Sequence, residues 1–290
     1  MEIQWPLALF TTFLAWSAGT FAAQGVLALK GKGERAQFPL LVIAAVMLAV
    51  GGIAVFFHLE HWERIFNGFG HLSSGITQEL IVIVIMAIIG IVYFAMMRRN
   101  EGKVPTWCAV AAIVVSVALI IVMAHSYMMP ARPVWNSPLW IVAVLGNACV
   151  LGPVTAAVVC SLVDAEAKSE VAMMSLIGSA VNAVTTVAYA VAMHLASETP
   201  ATVDYYHDPT HPTQSIVGGT VSPFLGDAAA IMWVGVIVIG ALVPLVAAFM
   251  GKKTGTWRVW GAVTLVAAFI GALCLRAVFY DAGVSMFMFF

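Results

Sequence analysis

The stretch HLEHWERIFNGFGHLSSGITQE, residues 58–79, gathers more acid–base chemistry than any other part of the chain. It holds His58, His61 and His71, with Glu60, Glu63, Glu79 and Arg64 among them, and it lies between two long apolar runs. His58 closes the run before it and Glu79 opens the run after it. A short connection brings those two ends together, so an imidazole and a carboxylate can share one site. Such a pair suits proton transfer. An unperturbed histidine titrates at about 6.5, and desolvation lifts a glutamate towards that range. A glutamate at a helix start can also serve only to satisfy free backbone N–H groups. Arg276, in CLRAVFYDAG, and His125, in MAHSYMMP, sit near the ends of two other apolar runs. Arg276 is expected either to reach back to the interface or to pair with Glu79 or another acid nearby. The remaining acid–base groups lie in loops.

The elements that position these residues are membrane helices. The 290 residues are 62% hydrophobic and 9% charged, with a mean hydropathy of +1.00. A soluble core could not hide that much apolar surface. Eight runs are long enough to cross a bilayer as helices: about 7–29, 38–57, 79–97, 104–128, 139–163, 171–195, 228–250 and 257–280. Unpaired backbone groups are not tolerated in lipid, and the alternation of a membrane barrel is missing. The expected fold is therefore an all-α integral membrane protein of eight transmembrane helices. It forms a single membrane domain, 1–290, in which helices 1–4 (about 7–128) and 5–8 (about 139–280) read as two four-helix bundles.

Charge placement orients the helices. Lys30, Lys32, Arg35, Arg98, Arg99, Lys103, Lys168, Lys252, Lys253 and Arg258 fall in one set of loops. Only Arg64, Arg132 and Arg276 lie towards the other side, with all seven histidines. By the positive-inside rule the ten mark the cytoplasm, so both termini are expected outside. No Lys or Arg precedes Lys30, so the first run reads as a retained helix rather than a signal peptide. The loop from Ala196 to Asp227 carries acids, His207, His211 and several prolines but no Lys or Arg, and is expected to be ordered and irregular. Trp62, Trp135, Trp140 and Trp233 are expected in an interfacial aromatic belt. Gly51, Gly52, Gly146 and Gly152 are expected at helix contacts, and Pro153 and Pro244 interrupt helices.

Cofactor chemistry within the chain is sparse. Cys108, Cys149, Cys160 and Cys274 are scattered in apolar runs, which argues against an iron–sulfur cluster and reads as four small buried residues. There is no phosphate-binding loop, dinucleotide fingerprint or zinc-protease signature, and no nucleic-acid partner is expected. From the residues alone, His58 and Glu79 suit a proton-transfer site. One function such residues leave open is a haem b subunit using two histidines such as His58 and His125. Another is a transporter, which the apolar helix centres, broken only by Asn147, Asn182 and some hydroxyls, disfavour.

Particular motifs resemble those of the DmsC family, the membrane anchor subunits of dimethyl sulfoxide reductase-type molybdoenzymes. The opening Trp5-Pro6-Leu7 with Phe10 looks like that family's start. His58-Leu59, Arg64, Phe66 and Asn67 match its H-L-x4-R-x-F-N segment, which ends in an acid, here Glu79. Arg276, Val278, Phe279 and Tyr280 match R-x-V-F-Y, and Gly152-Pro153 falls at its G-P pair. The resemblance implies an anchor in the cytoplasmic membrane of a prokaryote that oxidises menaquinol at the outer face in anaerobic respiration. Electrons would pass to a [4Fe–4S] cluster of an iron–sulfur partner and on to a molybdopterin catalytic subunit, with no haem in the anchor. It places His58 and Glu79 at the quinol site, with Arg64, Asn67, His125, Arg276 and Tyr280 as supporting residues. His125 stands where the family has Arg. The 196–227 loop is expected to touch the partner subunit.

Overall fold

The computed structural model describes residues 3–59, 61, 71–197, 201–205, 214–218 and 222–283. Eight helices long and apolar enough to cross a membrane account for nearly all of them. They are α1 (Trp5–Leu29), α2 (Gln37–Phe56), α3 (Gly75–Arg99), α4 (Thr106–Ser126), α5 (Pro138–Val163), α6 (Lys168–Ser197), α7 (Val243–Thr254, entered through a wide π-helical segment, Ile231–Leu242) and α8 (Trp257–Asp281). The helices alternate in direction. One end of the bundle therefore carries the Lys/Arg-rich loops, and the other carries the start of α1, the end of α8 and, among the described residues, His58, His61, His71, His125 and His194. Within the expected irregular loop the chain instead forms an antiparallel hairpin, Ala201–Tyr205 against Gln214–Gly218, with Ala201 opposite Gly218. Thr202 and Val203 in one strand and Ile216 and Val217 in the other are β-branched residues that favour this pairing.

The two halves repeat one neighbour pattern. In the first, α1 packs on α2 and α4, and α3 packs on α4. In the second, α5 packs on α6 and α8, and α7 packs on α8. In each half the first basic-end loop runs into the next helix through a three-residue 3₁₀ turn, Glu34–Ala36 before α2 and Ala165–Ala167 before α6. The halves join through α1 and α5 into one body. A side-chain methyl at Gly19 would sit 2.3 Å from the Ala148 carbonyl, and one at Gly152 would sit 2.0 Å from that of Gly19, so only glycine lets these two helices approach so closely. Gly51 and Gly146 lie at contacts as expected, whereas nothing stands within 4 Å of where a Gly52 methyl would be.

Lipid-facing and inward-facing residues separate cleanly. Ile53, Ile88, Ile91, Val184, Val246 and Val266 point outwards, while Phe21, Leu14, Tyr93, Tyr189 and Phe279 fill the centre. Two expectations change here. Cys108 and Cys160 are buried, but Cys149 lies on an outward face of α5. Trp135 and Trp140 are not belt residues. They are buried, and each stacks on Phe279, at 4.6 and 4.2 Å between ring centres. Trp5, Trp107 and Trp233 do face outwards.

Candidate functional site

Helix α3 starts a full turn earlier than its apolar run suggests, at Gly75. Glu79 is therefore not at a free helix end. It lies one turn inside, on the face turned towards α4, and is 6% exposed. Gly75 is on the same face four residues earlier. A methyl there would stand 2.7 Å from Ser126 Cβ, so the glycine lets the outer end of α3 close onto the end of α4. That approach delivers the Glu79 carboxylate to the Ser126 hydroxyl, and the two are hydrogen-bonded.

Ser126 has a second acceptor, the Met123 carbonyl 2.8 Å away. A hydroxyl has one proton and two lone pairs. When Glu79 is ionised, Ser126 donates to it. When Glu79 is protonated, Glu79 donates to Ser126, which turns its own proton to Met123. Both protonation states are hydrogen-bonded with no movement beyond a rotor. This is the property needed of a carboxylate that takes and releases a proton in a buried place.

Two tyrosines complete the surroundings. Tyr127, the residue after Ser126, stands near Tyr280 of α8, and both lie in the neighbourhood of Glu79 and Arg276. Tyr280 also stands edge-on to Trp135, which is held by an indole N–H bond of 2.6 Å to the Phe279 carbonyl. Arg132 lies over the Trp135 ring at 4.5 Å and donates to the Gly283 carbonyl. The connection between α4 and α5 thus pins the end of α8 and fixes Tyr280 beside Tyr127.

Arg276 neither reaches the interface nor pairs with Glu79. It is 1% exposed, about 7 Å below the end of α8 at the helical rise per residue. Its Nε donates to Thr11 Oγ1 at 2.7 Å. Its Nη1 donates to Asn147 Oδ1 at 2.9 Å and to the Ala272 carbonyl at 3.0 Å. Its Nη2 donates to the Thr11 carbonyl at 3.2 Å. The chain of bonds continues inwards. Asn147 Nδ2 donates to Asn182 Oδ1 at 2.9 Å, and Asn182 Nδ2 donates to the Gly240 carbonyl at 2.9 Å. Gly240 is four residues before Pro244, so its carbonyl is the acceptor that proline leaves without an ordinary helical donor. One polar line therefore ties α8, α1, α5, α6 and the π-helical segment, and both deep asparagines are engaged in it.

The other expected residues are placed as follows. His58 lies just beyond α2 and is exposed, with its backbone N–H on the Val55 carbonyl. Among the described residues no hydrogen bond or ion pair joins it to Glu79, whose partner is Ser126. His125 is exposed at the end of α4, a helix that does not pack closely on α2. His194 is tied down, with its Nδ1 2.9 Å from Ser222 Oγ and its ring edge-on to Phe224. Arg64, Asn67, Trp62, His207 and His211 lie outside the described residues. Ser126, Tyr127, Thr11 and Gly75 were not singled out by sequence. Only the adjacency of Ser126 to His125 at a helix end pointed near them.

With this geometry in place, the comparisons bear on what it serves. The model of the DMSO reductase anchor subunit family, DmsC, matches residues 1–282, nearly the whole chain. The chain belongs to that family. Comparison with curated proteins gives no match. As a member it is a membrane anchor subunit of a DMSO reductase-type enzyme. Of the residues around Glu79, Tyr280 belongs to a motif that points to the family, whereas Gly75, Ser126 and Tyr127 do not.

Proposed function

We propose that this anchor oxidises a quinol at the histidine end of α2, α3 and α4 and passes the electrons to an iron–sulfur partner that feeds a molybdopterin catalytic subunit. The observation that carries this is Glu79, a buried carboxylate whose partner is a hydroxyl able to serve both of its protonation states. A structural carboxylate at this depth would be paired with a cation, and the nearby Arg276 is instead held by Thr11 and Asn147.

The chemistry then runs as follows. A quinol lies against the outer ends of α2 and α3. Its ring oxygen nearer α2 is held by the exposed His58 imidazole, and the other hydroxyl faces Glu79. Oxidation to quinone releases two protons and two electrons. Glu79 takes one proton from the hydroxyl it faces, and His58 takes the other. Both protons leave by the histidine end. The electrons leave one at a time to the partner, whose [4Fe–4S] cluster accepts single electrons at tunnelling range. Ser126 holds the carboxylate in position through both states, and Tyr127 with Tyr280 shields it from lipid.

Menaquinol is the quinol we assign, in anaerobic respiration. The ten Lys and Arg residues of the basic end set that end in the cytoplasm, with both termini outside a prokaryotic cytoplasmic membrane. The 201–218 hairpin is then on the partner's side. In the assembled complex, Glu79→Gln and His58→Gln should each lower quinol-driven reduction of the terminal acceptor by about a hundredfold, within the usual range for loss of a proton acceptor. Reduction driven by a soluble viologen, which bypasses the anchor, should be unchanged. Wild-type quinol rates in both variants would refute the assignment.

A further inference from the structure

The equivalence of the two halves has one exception. In the second half, α6 packs along the π-helical segment and α7. The corresponding pair in the first half, α2 and α3, barely touches. The two are drawn together at the basic end, where the Tyr93 hydroxyl donates to Gln37 Oε1 at 2.8 Å and the Phe38 and Phe94 rings lie 6.1 Å apart. Above that point they splay over α1, leaving a slot of about 640 Å³ whose walls are almost wholly apolar. Its floor includes Ser17, but that hydroxyl is used on the Ala44 carbonyl at 2.7 Å.

Small residues line the slot, Ala45 and Ala49 on α2 and Ala87 and Gly90 on α3. In membrane proteins such residues ordinarily let helices touch. Here Ala45, Ala49 and Ala87 are exposed, and no atom stands within 4 Å of where a Gly90 methyl would be. Their smallness therefore serves space. The slot is bridged at its basic end, and its α3 wall begins at Ile83, one helical turn below Glu79. An occupant whose polar head sat at Glu79 would have its apolar remainder directed into it.

We infer that the α2–α3 slot receives the isoprenoid tail of the quinol whose head group is oxidised above it. This rests on the quinol reading. The volume is in the range of small-ligand pockets, and a flexible chain with no polar atoms matches walls that offer no hydrogen bonds. The slot then accounts for both the splay of α2 from α3 and the missing contacts of its small residues. It also sets specificity. A tailed quinol is anchored by its chain, and a tail-less one must rely on the head group.

The test uses the assembled complex in lipid vesicles, with long-tailed menaquinol compared against tail-less menadiol. Gly90→Leu fills the slot without meeting backbone, and leucine is the better helix former. The ratio of KM for menaquinol to KM for menadiol should rise about tenfold over wild type, the effect of expelling a few methylenes from an apolar site. An unchanged ratio, or equal loss with both quinols, would assign the slot to a lipid acyl chain or a partner helix and overturn the inference. If wild type oxidised neither quinol, it is the function above that would fall. If Gly90→Leu does not assemble, Gly90→Cys provides the second reading. Its labelling by a membrane-permeant maleimide should be slowed at least fivefold by menaquinone and not by menadione. Equal labelling in both would overturn the inference.

Discussion

Glu79 and Arg276 are both buried ionisable residues near the same end of the bundle, and they are handled in opposite ways. The carboxylate is given one adaptable hydroxyl. The guanidinium is given fixed acceptors on Nε, Nη1 and Nη2. A group meant to change protonation needs a partner that can change with it, whereas a group meant to stay charged needs acceptors that do not move. Two predictions follow at this scale. Ser126→Ala should lower quinol oxidation about tenfold, the effect of losing one hydrogen bond to a charged group, while leaving viologen-driven turnover intact. Ser126→Thr should restore it, because the hydroxyl returns; failure of threonine to rescue would mean that Ser126 acts only through packing. Arg276→Met should instead cost stability, because it strands Asn147 Oδ1 in the interior and removes the donor to Thr11 Oγ1. A loss of about 1–3 kcal/mol is expected, seen as a lower midpoint of thermal unfolding in detergent.

Among the elements, the seventh helix shows most plainly how a sequence interruption becomes structure. Pro244 cannot donate to Gly240. The chain widens into a π-helical stretch before it, and Asn182 crosses from α6 to cap the freed carbonyl. Asn182→Leu should therefore destabilise the bundle by about 1–3 kcal/mol. Much of that loss should vanish in a Pro244→Ala background, where the carbonyl can regain a helical donor. Additive losses in the double-mutant cycle would show that the two residues do not act together. The helix lengths and the interruption at Pro244 were legible in the sequence, because apolar runs and prolines act locally. The partners were not. Asn147 and Asn182 were visible as the only amides at helix centres, but nothing along the chain says that they meet Arg276. The early start of α3 was equally hidden. Thr77 and Gln78 look like loop, and it is the tertiary contact of Gly75 with Ser126 that draws them into the helix. For the same reason His58 and Glu79, adjacent by loop length, are not hydrogen-bonded to one another, and two of the tryptophans expected at the interface, Trp135 and Trp140, stack on Phe279 at the end of α8.

The molecule as a whole has two four-helix halves with the same neighbour pattern, joined through α1 and α5. The second half is tied by a polar line, and the first is left open along α2 and α3. The proposed proton-transfer groups and the open slot lie in the first half, while the second half holds α8, and with it Tyr280 and Arg276, against them. This division was foreshadowed by the density of acid–base residues in 58–79, although the packing that separates the halves was not. Orientation is a property of this scale too. A cysteine placed at Gly255, at the basic end, should react with an impermeant maleimide only when the cytoplasmic face is exposed. One at Asp281 should react in intact spheroplasts, and the reverse pattern would invert the topology.

In the function proposed above, electrons enter the complex from quinol through the Glu79 site. The most direct measurement is the reduction of the partner's iron–sulfur clusters by menaquinol in a single turnover, followed by electron paramagnetic resonance. Wild type and Glu79→Gln should both give the full cluster signal with dithionite. With menaquinol, wild type should give that signal within the turnover time and Glu79→Gln should give almost none. Cluster reduction by menaquinol at the same rate in both would contradict the account.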